Sequence, residues 1–194
     1  MIDIVLRFLK NHLNEQLSLR SSAAESTEDK VTFVNIAADG AMSLREGAVT
    51  LVLVNTEEDR TLRPADPYRV TGTDGSQHRV QPEISMVLSV LFIARFDEYD
   101  QSLSHISWTI RHFQSNRVLT SQNAPALDPR IGKLTMELQA LTMQQQNDMW
   151  GMLKLGYQPS VLYRVKMVVF RDEPSAIPAV GEVDRQLTGE GVGT

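Results

Sequence analysis

Apolar residues recur along the chain with two periods, and these periods divide it into helices and strands. Apolar positions three or four residues apart are typical of a helix with one buried face, whereas alternation is typical of a half-buried strand. We predict three helices, at Ile2–Leu19, Asp97–Asn116 and Thr142–Gly156. We predict five strands, at Val31–Ile36, Ala48–Asn55, Pro82–Phe96, Lys133–Leu138 and Ser160–Phe170.

The first two helices carry the clearest apolar stripes. The stripe of the first consists of Ile2, Leu6, Leu9, Leu13 and Leu17. The stripe of the second consists of Tyr99, Leu103, Ile106, Ile110 and Phe113. We expect both helices to pack on the sheet of their own domain, with Asp97 capping the second. The alternative for the first helix is that it reaches a neighbouring subunit.

Polar, glycine-bearing and proline-bearing stretches mark the loops. Thr142 is placed to cap the third helix and Gly156 to end it. Thr56–Arg79 reads as a loop of more than 20 residues, which is long for an inert connection. We therefore regard it as the first candidate contact surface, with charged candidates at Glu57, Glu58, Asp59, Arg60 and Arg63.

The composition changes near the C-terminus. From Arg171 onward there are five acids, two bases and few large apolar residues. Such a composition is typical of a flexible segment. We predict a folded domain at 1–172 and a flexible acidic tail at 173–194, and we count Arg171, Asp172 and Glu173 as candidate interface residues.

Length and charge narrow the possible functions. A chain of 194 residues fits one domain, which we expect to be mixed α/β (α+β), with a twisted, mainly antiparallel sheet and about three helices. Acids outnumber bases 24 to 19, which argues against binding nucleic acid through its phosphates. The chain has no cysteine, so disulfides, cysteine-ligated metals and thiol nucleophiles are excluded. We expect no signal peptide and no membrane span.

No residue pattern indicates catalysis. His105 and His112 lie seven residues apart on one predicted helix, about 10 Å along its axis, too far to share a metal. Acids at 97, 98 and 100 suit a helix start. No serine lies in a Gly-x-Ser-x-Gly motif, and the glycines at 189–193 lack the lysine of a phosphate loop. We assign no catalytic, metal or cofactor-binding residues and expect no cofactor.

The two tryptophans differ in their surroundings. Trp150 lies in an apolar group with Met149 and Leu153, so we predict that it is a core residue. Trp108 lies off the main stripe of its helix. An exposed tryptophan there would be a candidate interface anchor.

Between Asp97 and Phe170 the chain carries a series of short motifs in a fixed order. They are an acidic-aromatic helix start, Phe-Gln-x-Asn, Pro-x-Leu, Lys-Leu-Thr-x-Glu-Leu, a tryptophan ending an asparagine-containing helix, and Tyr-x-Pro-Ser-x-Leu-Tyr-Arg-Val. The motif residues are Tyr99, Leu103, Phe113, Gln114, Asn116, Pro125, Trp150, Pro159, Ser160 and Tyr163.

This series resembles the tail-terminator, or cap, proteins of extracellular contractile injection systems, the phage-tail-like particles of the Photorhabdus virulence cassette and antifeeding prophage type. The resemblance covers about residues 1–172 and is dense only from Asp97. It implies a tail-terminator-like fold and a structural, non-enzymatic protein. It further implies a homo-hexameric ring that ends inner-tube growth and anchors the last sheath layer, with the inner-tube and sheath proteins as partners.

The same resemblance implies assembly in the cytoplasm as part of a particle, without nucleic-acid binding or direct membrane insertion. Most motif residues are expected to be structural. Two alternatives stay open. One is another ring-forming tube or baseplate component of the same particle, and the other is a small-molecule-binding or enzymatic α/β domain, which would need a pocket with convergent polar groups.

Overall fold

A six-stranded mixed sheet organises the protein, in a computed structural model that describes residues 1–20, 29–59, 69–71, 77–79 and 84–169. The helices are α1 (Ile2–Arg20), α2 (Tyr99–Ser115) and α3 (Met143–Leu153). The strands are β1 (Val31–Phe33), β2 (Asn35–Ile36), β3 (Met42–Ser43), β4 (Ala48–Glu58), β5 (Arg69–Thr71), β6 (Gln77–Arg79), β7 (Ile84–Arg95), β8 (Val118–Leu119), β9 (Ile131–Gln139) and β10 (Ser160–Val169).

The main sheet has the strand order β1-β4-β7-β10-β9-β8. Only the β1–β4 pair is parallel within the described sheet, so the prediction of a mainly antiparallel sheet is confirmed. The longest ladders join β7 to β4 and to β10. Two small two-stranded sheets, β2–β3 and β5–β6, complete the described strands.

The helices cover the two faces of the main sheet unequally. Helices α1 and α2 pack on one face, where Leu9, Phe113 and Phe92 belong to one buried cluster. Helix α3 packs on the other face, where Trp150 joins Leu91 in a second cluster. Successive side chains of a strand point to opposite faces, so β7 contributes Leu91 to one layer and Phe92 to the other.

The termini of α3 show one confirmed and one wrong prediction. The Thr142 hydroxyl accepts a hydrogen bond from the Gln145 backbone N–H, and the Gln145 side chain accepts one from the Thr142 N–H. This capping box satisfies two otherwise free donors and confirms Thr142 as the N-cap. At the other end, Lys154 takes the left-handed conformation (φ 54°) and ends the helix, so the assignment of this role to Gly156 is wrong.

Helix α2 differs from its prediction in both its cap and its buried face. Its N-cap is Glu98, whose side chain makes no capping bond, so the assignment of the cap to Asp97 is wrong. Tyr99 and Leu103 are 63% and 43% exposed, so the stripe is wrong at its first two positions. The buried residues are Ser102, Ile106, Thr109 and Phe113.

Two hydroxyls explain this rotation of the buried face. The Ser102 Oγ accepts a hydrogen bond from the Phe96 backbone N–H at 3.1 Å. The Thr109 Oγ1 donates to the His105 carbonyl at 2.9 Å. Because each polar side chain has a local partner, its burial carries little penalty.

Several strand limits also differ from the predictions. Val31–Ile36 is not one strand, since β1 pairs with β4 and β2 pairs with β3. Thr56–Glu58 is not loop but the end of β4, because its backbone continues to pair with β7 although its side chains are polar. The predicted loop also contains β5 and β6. Leu138 of β9 is 52% exposed, although it lies on the same face of the strand as the buried Leu134 and Met136.

Some predictions concern residues outside the described ranges. These are the predicted boundary between 172 and 173, and the interface candidates Arg60, Arg63, Arg171, Asp172 and Glu173.

A pair of histidines joins α1 to α2, which the sequence analysis did not predict. The Nε2 atoms of His12 and His112 lie 3.1 Å apart, so one neutral ring donates and the other accepts. Phe8 stacks on His12, and Trp108 stacks on His112. Burial, and next the charge of His12, lower the pKa of His112 to about 4. Burial also lowers the pKa of His12, while Glu15 acts in the opposite direction.

This pair predicts a loss of stability in acid. Between about pH 4 and the ordinary histidine value of 6.5, the unfolded chain binds a proton at His112 that the folded chain does not. The free energy of unfolding therefore falls as the pH is lowered through this window. We expect a loss of about 1–2 kcal/mol, because partial exposure reduces the effect of the full shift. Urea unfolding at pH 7 and pH 4 measures it.

The control for this prediction is His112→Gln, which keeps hydrogen-bonding capacity but does not titrate. Carboxylates titrate in both proteins, so the relevant quantity is the difference between the two proteins in the unfolding free energy lost from pH 7 to pH 4. An equal loss of stability in the two proteins would contradict the prediction.

The exposed and buried ends of α2 predict opposite responses to substitution. Phe113→Ala removes a ring packed against Phe92 and Tyr163 and should cost about 3–5 kcal/mol of unfolding free energy. Tyr99→Ser should change it by no more than about 0.5 kcal/mol, because Tyr99 is largely exposed. Urea denaturation of the two variants tests this, and a comparable cost for both would restore the originally predicted stripe.

Candidate assembly surfaces

The motif residues fall into three groups: core residues, residues at the ends of helices or strands, and surface residues. Phe113, Trp150 and Tyr163 are buried, which confirms Trp150 as a core residue. Asn116 ends α2, where its side chain donates to the His112 carbonyl at 3.1 Å. The carbonyl of the buried Pro159 accepts a hydrogen bond from Ala94 as β10 begins.

The remaining motif residues are less buried. Ser160 starts β10 and is half-buried. The exposed ones are Tyr99, Leu103, Gln114 and Pro125.

A groove lies between the C-terminal end of α2 and the edge of the sheet, and we name it the β9 groove. Its volume is about 580 Å³. The α2 side consists of Phe113, Gln114 and Arg117. The sheet side consists of Met136, Glu137, Leu138 and Tyr163. The groove thus brings Phe113 and Gln114 of α2 together with Tyr163 of β10, and all three are motif residues.

The short β8 leaves part of this edge uncovered. Strand β8 pairs only with Leu134 and Thr135, while β9 continues to Gln139. Leu138 therefore stands beside the groove with half of its surface exposed. Burial raises the pKa of the Tyr163 hydroxyl in the groove floor to about 12, so this group remains protonated at neutral pH.

At the opposite end of α2, apolar side chains project from an acidic surface. We define the acidic knob as Asp97, Glu98, Tyr99, Asp100 and Leu103, all exposed. The hydrogen bond and the charge of Asp97 raise the pKa of the nearby Glu46, while Arg95 acts in the opposite direction. Glu46 therefore adds a further carboxyl group beside Asp97 at this end of the helix.

Ion pairs cross the sheet face that carries α3. Arg164 of β10 lies 3.5 Å from Glu57 of β4. Lys166 lies 3.1 Å from Glu137 of β9, and Arg117 lies 3.9 Å from the same carboxylate. These side chains form a charged surface that extends to the β9 groove. Glu57 is one of the interface candidates predicted from the sequence. Its partner Arg164 was not predicted, because strand register brings the two side chains together.

Other interface candidates occupy different positions. Glu58 pairs with Met86, and the Asp59 backbone N–H donates to Ser85. Trp108 is half-buried and packs against the core, so it is less exposed than expected. Roles for these residues in contacts with other subunits stay predictions.

Two other kinds of site, a metal site and a membrane span, can be assessed in the described residues. Within residues 1–20, 29–59, 69–71, 77–79 and 84–169, no group of three or more His, Asp or Glu side chains is placed to hold a metal ion. None of the helices in these ranges is both long and apolar enough to cross a membrane.

Two cryo-EM structures share the fold. One is the sheath/tube terminator of PVC, an extracellular contractile injection system, in its extended state; it matches with a TM-score of 0.50 and 14% identity over 94% of this chain. The other is the tube-terminating cap of the anti-feeding prophage, which matches with a TM-score of 0.51 and 15% identity over 89% of this chain. The present chain spans 65% and 58% of their respective lengths.

The likeness confirms the predicted fold, a mixed α+β domain of the tail-terminator type. A search of curated proteins found no match. The sequence model of the Pvc16 N-terminal domain, however, matches residues 3–182, nearly the whole chain. The chain therefore belongs to the Pvc16 N-terminal domain family.

Proposed function

We propose that this protein is the terminal cap of a contractile injection particle. Six copies form a ring that ends growth of the inner tube and anchors the last layer of sheath. The family match carries this proposal, because it covers nearly the whole chain, and the fold shared with a sheath/tube terminator and a tube-terminating cap supports it.

The surfaces of the domain suit such a role. A closed ring of identical subunits needs two different, complementary surfaces on each copy. The acidic knob and the β9 groove are two such surfaces, and the charged sheet face offers a third for another protein. The partners in this proposal are the inner-tube protein and the sheath protein, with neither nucleic acid nor a membrane contacted directly.

The work of the protein in this proposal is assembly and not catalysis. It takes place in the cytoplasm, where the particle is built, and the protein then remains part of the particle.

Native mass spectrometry with negative-stain imaging tests the proposal. Six chains of 21.7 kDa give a closed ring of about 130 kDa. We expect single rings at every protein concentration high enough for rings to form, because a terminator must not stack on itself. Open-ended tubes would assign the protein to the polymerising tube components instead. Adding the protein to growing tubes provides a second readout, since a cap should shorten them.

We also propose that the segment after Arg171 binds the sheath or a neighbouring subunit only on the assembled particle. Truncation after Arg171 should leave ring formation intact but reduce attachment of the sheath to the capped end. Co-sedimentation of sheath with capped tubes measures this.

An untruncated control variant separates the effect of charge from the effect of length in this experiment. It replaces the five acids Asp172, Glu173, Glu182, Asp184 and Glu190 by their amides. If charge carries the contact, this variant should behave like the truncation. Unchanged capping and sheath attachment in the truncated protein would refute the proposed role of the segment.

A further inference from the structure

We propose that adjacent copies of this chain contact each other head to tail, with the acidic knob of one copy seated in the β9 groove of the next. This inference rests on the proposed ring and deepens it by naming the contact between subunits.

The exposure of apolar surface on the knob is the first argument. Tyr99 is 63% exposed and Leu103 is 43% exposed, and they lie one helical turn apart. Neither contributes to the face of α2 that packs on the sheet. Aromatic side chains that protrude in this way are typical anchors of protein interfaces.

The groove offers a matching receptor. Its exposed apolar element is Leu138, and the buried Met136 and Tyr163 lie beneath it. Its α2 wall adds Phe113 and Gln114, so an incoming aromatic ring meets apolar side chains on two sides and an amide at the rim. A volume of about 580 Å³ is within the range of pockets that hold small ligands.

The charges of the two surfaces are complementary. The knob carries three carboxylates, and the side chain of Glu98 is not used for helix capping. The groove rim carries Arg117, which is 67% exposed at its side chain and lies 3.9 Å from Glu137. Lys166 contacts the same carboxylate from the sheet face that carries α3, so Arg117 is the base that lines the groove. Opposite charges of this kind orient a partner and speed its association.

The positions of the two surfaces exclude contact within one copy. Tyr99 lies at the start of α2 and Gln114 at its end. Fifteen residues of helix separate them by about 22 Å. A knob at one end and a receptor at the other form a heterologous pair, which is the arrangement that generates rings. The occupant is therefore a second copy of this chain, and a tube or sheath segment in the groove is a competing outcome.

Disulfide trapping tests the contact directly. The chain has no cysteine, so Tyr99→Cys with Leu138→Cys introduces the only two thiols. A disulfide needs Cα atoms about 4.4–6.8 Å apart, so the pair cannot close within one copy. We expect oxidation to give a ladder of covalent oligomers that extends beyond the dimer.

Matched controls exclude random collision. Tyr157 is 60% exposed, nearly as much as Tyr99, but lies outside the knob. Tyr157→Cys with Leu138→Cys should give no ladder, and Tyr99→Cys alone should give dimers at most. Two results would overturn the inference. One is equal ladders from the two double variants, and the other is no covalent oligomer larger than a dimer from Tyr99→Cys with Leu138→Cys.

A charge exchange gives an independent readout without cysteines. Glu98→Arg and Arg117→Glu should each weaken self-association roughly tenfold, a change of about 1.4 kcal/mol, and the double variant should recover most of it. Analytical ultracentrifugation measures the association, and unfolding in urea verifies that each variant is folded. Absence of recovery in the double variant would count against the pairing.

The outcomes separate this inference from the proposed function. A wild-type ring whose self-association is not weakened by either single charge substitution would refute the contact and leave the cap proposal standing. A wild-type protein that stays monomeric yet shortens growing tubes, together with a Tyr99→Cys/Leu138→Cys variant that gives no ladder, would do the same. Cross-linking of the Leu138→Cys groove to tube or sheath protein, without self-linking, would assign the groove to that protein instead.

Discussion

Burial of β7 on both faces is the constraint on which the rest of the structure depends. Residues from Val87 to Ala94 are almost fully excluded from solvent, and β4 and β10 occupy both edges of this strand. A strand in this position requires an apolar layer above and below it. Helices α1 and α2 supply one layer and α3 supplies the other, so the positions of the three helices follow from what β7 must bury.

The aromatic contacts below α2 determine where the candidate surfaces lie. Phe92 of β7, Phe113 of α2 and Tyr163 of β10 pack with ring centroids between 5.2 and 5.8 Å apart. This cluster fixes the C-terminal half of α2 over the centre of the sheet. The β9 groove lies beside this end of the helix. At the other end of α2 the side chains of Tyr99 and Leu103 face away from the sheet and belong to the acidic knob.

The sequence predicted the elements more reliably than the faces that they bury. Long periodic segments such as α1 and β7 were identifiable, because burial forces a repeat on their residues. The stripe of α2 was misassigned at Tyr99 and Leu103, since Ser102 and Thr109 have hydroxyls whose local partners make them acceptable in the core. By residue type alone, serine is less often buried than tyrosine, and only the tertiary contacts of Ser102 reverse this order here.

Contacts between distant segments were beyond the reach of sequence patterns. His12 and His112 lie 100 residues apart, and the spacing rules for histidine apply only within one helix. The ion pairs of Glu57 and Glu137 likewise depend on strand register, which periodicity does not give. Residues of the motif series line the groove, although the series itself predicted no surface there; they are Phe113, Gln114, Glu137, Leu138 and Tyr163. Arg117 lies outside the series.

The described sheet edges bear on the proposed assembly of this chain. The outer strands are short, three residues in β1 and two in β8, and the open part of β9 carries the charged Glu137. Short and charged edges discourage the addition of further strands. This property agrees with the proposed function, because an open edge could template the addition of further strands. In the proposed ring, contacts between copies would therefore use side chains, as in the proposed contact between the acidic knob and the β9 groove.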